Sequence, residues 1–135
     1  EINFGDQKSS VVNTAYGTRG RNFSFEKGSS HIAGKLKKLS SDEGRQKTIS
    51  LSLIKHRYGI SEFSLVMDIE GAEAMLFHDE PEALEGCRCL VAELHDTVLD
   101  DRSIKIGDLV SRIVELGFLL HARDGNVFVF VSHRL

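Results

Sequence analysis

An α/β fold with a mostly parallel sheet and a closing antiparallel hairpin is what this sequence predicts. Three observations carry the prediction. Strand-like and helix-like segments alternate from residue 48 onward, the order that builds parallel sheets through right-handed crossovers. Two of the strand-like segments, FSLVMD (63–68) and CRCLVAEL (87–94), are apolar along most of their length, as strands buried on both faces are. Near the end, Asp124-Gly125 stands between two apolar runs, a strong hairpin signal.

The first third is polar and glycine-rich. Within it VVNTAY (11–16) is expected to form a short strand, GTRG (17–20) a turn and NFSFE (22–26) a second, alternating strand. Residues 27–47 are rich in Gly, Ser and Lys with weak periodicity, which predicts a mobile surface segment. A strand or edge segment is expected over 48–53 and a short helix or turn over 54–59. Residues 63–68 follow as a strand inside the parallel sheet. A helical stretch over 72–86 is interrupted at Pro81, which suits a helix start better than a middle. Residues 87–94 form the next buried strand. Residues 104–116 are an amphipathic helix whose stripe is Ile106, Leu109, Val110, Ile113, Val114 and Leu116, stopped by Gly117. Residues 118–122 and 127–131 are the hairpin strands, joined through RDGN (123–126).

The 135 residues suffice for one domain with a real core, so residues 1–135 are taken as a single domain. Hydrophobic residues make up 41% and charged ones 27%, the balance of a globular protein. A net charge of −3 gives no footprint for nucleic acid or an anionic membrane surface. No apolar run is long enough to span a bilayer, and no signal peptide is visible. The two cysteines, Cys87 and Cys89, would share one face of a strand. No further Cys or His of zinc-site spacing accompanies them. They are expected to be reduced packing residues, which fits a cytoplasmic protein.

Chemistry is expected where the two buried strands end. Ligands of open α/β sheets bind at the carboxyl ends of the strands. Asp68-Ile69-Glu70-Gly71 leaves the first strand and Glu93-Leu94-His95-Asp96 leaves the second. If the strands are neighbours, five ionisable groups face one crevice. Gly71 would let the backbone turn sharply or approach a ligand. Taken singly, Asp68 also suits a helix cap and Glu73 a partner for the helix dipole. The coincidence of two acidic strand ends favours function.

The stretch Asp68-Ile69-Glu70-Gly71-Ala72-Glu73 after an apolar strand resembles the signature of the FkbM-type methyltransferases, S-adenosylmethionine-dependent enzymes of the Rossmann-like class. The surroundings are similar in order. Val12-Asn13-Thr14-Ala15, then Gly20, then Phe23-Ser24-Phe25 is similar to the family's third strand and turn. Glu93-Leu94-His95 is similar to the acidic end of its fifth strand, and Gly117-Phe118 with the closing hairpin to its sixth and seventh. The resemblance covers nearly the whole chain. The sequence departs from the family at Val66, where a lysine is usual. It departs again at Ser50-Leu51-Ser52, in place of Thr-Leu-Asp, and at Asp79, in place of a helical glycine. It also holds no glycine-rich cofactor loop between an early strand and a helix. The resemblance therefore implies the C-terminal portion of a class I methyltransferase sheet whose first two strands are missing. Such a portion would be inactive and unstable alone, since a gap in the sheet exposes edges.

The resemblance implies methyl transfer from S-adenosylmethionine, most readily to a hydroxyl of a small molecule, sugar or lipid. Asp68 is the first choice for a residue at the cofactor methyl and the substrate. Glu70 would orient the acceptor or a bound cation. His95 is the best candidate base, because its unperturbed pKa suits proton transfer near neutral pH. Tyr16 lies where this class lines the adenine. Two other classes compete. Asp68, Glu70, Glu93 and Asp96 could hold Mg²⁺ in a hydrolase or phosphotransferase. A degenerate, non-catalytic binding domain would need neither cofactor nor metal. An incomplete sheet also leaves an edge on which another chain can pair, so a homo-oligomer is compatible with the sequence.

Overall fold

The computed structural model describes residues 12, 14–18, 23–27, 34–38 and 48–133, the segments 23–27 and 34–38 through their backbone. In chain order the elements are β1 (Ala15–Tyr16), β2 (Phe23–Lys27), β3 (Gly34–Lys38), β4 (Thr48–Ile49) and α1 (Leu51–Tyr58). Then come β5 (Phe63–Met67), α2 (Glu73–Asp79), a 3₁₀ turn (Pro81–Leu84) and β6 (Cys87–Glu93). The chain closes with β7 (Thr97–Leu99), β8 (Arg102–Ile104), α3 (Ile106–Glu115), β9 (Phe118–Asp124) and β10 (Val127–Ser132). No helix among the described residues is long and apolar enough to cross a membrane.

The fold is mixed α/β. Its central sheet has the order β5-β6-β10-β9. β5 and β6 are parallel, with Val66 opposite Val91 and Met67 opposite Ala92. β10 runs antiparallel to both β6 and β9, so three strands point one way and the last strand of the chain runs between two of them in reverse. The Asp-Gly hairpin is present, with Gly125 at φ 57°, and Gly117 at φ 93° follows α3 as expected. One face of the sheet carries the core. Leu90, Ala92, Phe128 and Phe130 are buried against Leu76 and Phe77 of α2 and Leu109 and Ile113 of α3. The Arg112 Nε donates to the Phe77 carbonyl at 3.1 Å and ties α3 to the end of α2.

Several expectations need correction. β5 lies at the edge of the central sheet, with one neighbour among the described residues, and Val66 on it is 77% exposed. The strand expected over 48–53 stops at Ile49, because a helix starts at Leu51. Ser50 caps it, accepting the Leu53 N–H, and the buried carboxylate of Glu80 accepts the N–H groups of Leu51 and Ser52. A long-range partner thus decides between strand and helix where local pattern favoured the strand. Within the segment 27–47, Gly34–Lys38 pairs with β2 as an antiparallel hairpin. Residues 28–33 and 39–47 lie outside the described residues, as do Val11, Asn13 and Asn22 of the expected N-terminal strands. β1 does not join the central sheet and pairs in parallel with β4 instead. The β7–β8 hairpin had no sequence expectation, since its turn is Asp100-Asp101, both at positive φ, rather than a glycine pair.

The two cysteines do not share a face. Phe63 lies opposite Cys87 but Ser64 opposite Cys89, so Arg88 is an extra residue and the ladder is bulged. The bulge shifts the alternation, and the fully buried positions of β6 are Cys87, Leu90 and Ala92. Burial pushes the Cys87 thiol above its ordinary pKa, which keeps it protonated and unreactive.

Candidate functional site

Because β5 and β6 are parallel neighbours, their carboxyl ends lie side by side, and the residues that leave them meet. Asp68 and Glu70 follow β5; Glu93 and His95 end β6. A donor oxygen of Asp68, one of Glu70 and a ring nitrogen of His95 all lie within 4.8 Å of one another. Asp68, Glu70 and His95, the three residues singled out in the sequence, are thus one cluster. The turn that places them is backbone-driven. Glu70 has φ 53° and Gly71 φ 98°, two successive left-handed residues that swing the chain from β5 into α2. A Cβ on Gly71 would meet Thr97 Oγ1 at 2.9 Å, so the glycine also lets β7 approach.

Asp68 does not cap the helix. α2 starts after Ala72 without a side-chain cap, and Asp68 is exposed with no hydrogen bond or ion pair among the described residues. The residue that sequence reasoning undervalued is Glu73. It sits in the first turn of α2, where a dipole role was considered, but its side chain has no solvent exposure. Its Oε1 accepts the Ile69 N–H at 3.3 Å and lies 3.2 Å from Nδ1 of His95. The other ring nitrogen, Nε2, lies 3.8 Å from Glu70 and 3.9 Å from Glu93. A buried carboxylate behind a histidine orients the ring and selects its tautomer. The usable signal was the three-residue step from Glu70 to Glu73, but only the fold turns Glu73 inward.

Asp96 has a different task. Its Oδ1 accepts the Ile106 N–H and its Oδ2 the Lys105 Nζ, both at 2.9 Å, so it fastens the start of α3. Lys105, with help from the Ile106 N–H, holds this carboxyl below its usual pKa. Of the five ionisable groups expected in one crevice, Asp68, Glu70, Glu93 and His95 gather together, with the buried Glu73 behind His95, while Asp96 lines the cleft beyond Glu70. An open cleft of about 420 Å³ begins at Glu70 and Gly71 and runs between Met75 and the β7–β8 hairpin at Thr97 and Leu99.

Tyr16 is not a member of the Asp68–Glu70–His95 cluster. Its ring packs beside Ala72 and Met75, and its hydroxyl donates to Glu80 Oε1 at 2.5 Å. Burial, and then the bond to Glu80, push the phenol well above its ordinary pKa. These contacts join β1 to the end of α2. No protein-family model matches the chain, and no curated protein or solved structure matches it either.

Proposed function

We propose that this chain is the C-terminal portion of an S-adenosylmethionine-dependent methyltransferase that acts on a hydroxyl of a small molecule, sugar or lipid. The observation that carries the reading is the cluster at the carboxyl ends of β5 and β6, with His95 backed by a fully buried glutamate. The similarity of residues 68–73 to the FkbM-type signature supplies the reaction class. The sheet supports it, since an acidic strand end beside a second one and a closing antiparallel hairpin are what that resemblance implies.

When bound, S-adenosylmethionine supplies a methyl group on a positively charged sulfur. Asp68, exposed and unpaired among the described residues, fits beside such a centre. Glu70 borders the cleft and is placed to orient the acceptor. Holding an acceptor oxygen in line with the methyl group is the main contribution such a site makes. The acceptor hydroxyl must also lose its proton, and His95 is the group through which the site assists that loss. Glu73 fixes the imidazole, so the ring needs no reorientation during the reaction.

The deciding experiment is calorimetric titration of S-adenosylmethionine into the protein at its natural full length. Saturable binding is expected. Asp68→Asn should weaken it roughly tenfold or more, the size of one lost contact to a charged group. No binding by the full-length protein would end the methyltransferase reading.

A further inference from the structure

The two nitrogens of His95 have unlike neighbours. Nδ1 meets the buried carboxylate of Glu73, whereas Nε2 faces oxygens of Glu70 and Glu93 at 3.8 and 3.9 Å. A histidine whose Nδ1–H is donated to a buried carboxylate turns the lone pair of Nε2 outward. At His95 that lone pair is directed among carboxylate oxygens, beyond hydrogen-bond range. Negative atoms gathered there repel one another unless a positive centre, a proton on Nε2 or a bound cation, stands among them.

Geometry narrows what that centre is. Two donors bonded to one cation at about 2.1–2.4 Å can be at most about 4.8 Å apart. The donor atoms of Asp68, Glu70 and His95 fall within 4.8 Å. Asp68 and Glu70 are exposed, so small rotations adjust their oxygens and water completes the coordination. A second, independent observation comes from Glu73. Its Oε2 is buried and has no hydrogen-bond partner among the described residues. A fully buried carboxylate with an unsatisfied oxygen is costly. A cation bound at Nε2 makes Nδ1–H a stronger donor to the Glu73 carboxylate and so favours burying it there, the carboxylate–histidine–metal arrangement.

We propose that Asp68, Glu70 and Nε2 of His95 form a site for one divalent first-row cation of the Mn²⁺ type, with Glu73 as the buried carboxylate that orients the histidine. A mixed nitrogen and oxygen donor set suits such an ion better than Mg²⁺, which prefers oxygen alone. Asp96, tied to Lys105 and Ile106, is outside the set. The use of the ion rests on the proposed function and changes one role in it: with Nε2 bonded to the ion, His95 cannot itself take the acceptor proton, and the ion would assist its loss by polarising the acceptor hydroxyl. The binding of the ion does not rest on that function.

The test is titration of the protein with MnCl₂, followed by electron paramagnetic resonance without S-adenosylmethionine. One bound Mn²⁺ per chain is expected, with hyperfine coupling to a nitrogen. His95→Ala should abolish the coupling, and Asp68→Asn should weaken binding at least tenfold. Both sites are solvent-accessible, and circular dichroism checks that the variants fold. Glu73→Gln should weaken binding about 10- to 100-fold, as loss of an outer-shell partner does. No binding at millimolar Mn²⁺, or binding without nitrogen coupling, would overturn the proposal. Mn²⁺ binding by a protein that ignores S-adenosylmethionine would leave this site standing and remove the methyltransferase reading.

Discussion

Glu70 holds a backbone conformation that side chains other than glycine avoid, φ 53°, at the very position where its carboxylate joins the cluster. Such a conformation costs on the order of 1–3 kcal/mol. Its neighbour Gly71 adopts φ 98° at no such cost. A glycine at position 70 would make the same turn without strain, so whatever the glutamate contributes must come from its side chain. Glu70→Gly should therefore raise the unfolding free energy, by about 1 kcal/mol, while the proposed methyl transfer falls at least tenfold. Urea unfolding and turnover measured on one preparation separate the two effects. A variant that loses stability and activity together would make the carboxylate a structural group.

At the scale of elements, the end of α2 is a fastening point. The Glu80 carboxylate receives the Tyr16 hydroxyl from β1 and, from α1, the Leu51 and Ser52 N–H groups and the Ser52 hydroxyl. The raised pKa of Tyr16 makes this junction pH-dependent with a definite sign. In the unfolded chain the phenol ionises near pH 10, about its ordinary value. In the folded protein it stays protonated, so stability is full below pH 10 and is lost as pH rises above it. The slope is at most about 1.4 kcal/mol per pH unit for this one group. Urea unfolding between pH 9 and 11 should show the loss, and Tyr16→Phe should flatten it. An equal slope in both proteins would assign it to other groups.

The same junction explains what was legible in the sequence. The alternation from residue 63 to residue 132 is written in local periodicity and turn chemistry, so β5, α2, β6, α3 and the hairpin follow from it. Asp68, Glu70 and His95 were visible because strand ends are where open sheets place ligands. The start of α1 at Leu51 was not, because Glu80 caps its first turn from 29 residues away. The inward role of Glu73 was not, because its partner His95 stands 22 residues on and meets it only in the fold. The shift between Cys87 and Cys89 was not, because a bulge is a property of pairing and not of one strand.

On the scale of the whole molecule, the central sheet is covered unequally. Its core face is closed by α2 and α3. On the other face Val66, Val91, Val129 and Ala122 lie opposite one another in register across all four strands. Val66 and Ala122, toward the two sides, are exposed, while Val91 and Val129 are half-buried. Sheets with parallel strands normally carry layers on both faces. An apolar row that ends in an exposed edge strand favours association between chains. Val66 is the member where this can be tested cleanly, since a residue 77% exposed contributes little to the core. Val66→Lys should change the unfolding free energy by less than about 0.5 kcal/mol, as surface substitutions do. It should also lower the light scattered by concentrated solutions of this 135-residue chain, because a charge on an edge strand opposes pairing. A loss of several kcal/mol would instead mean that this face is covered in solution. Unchanged scattering with unchanged stability would mean that the row does not drive association.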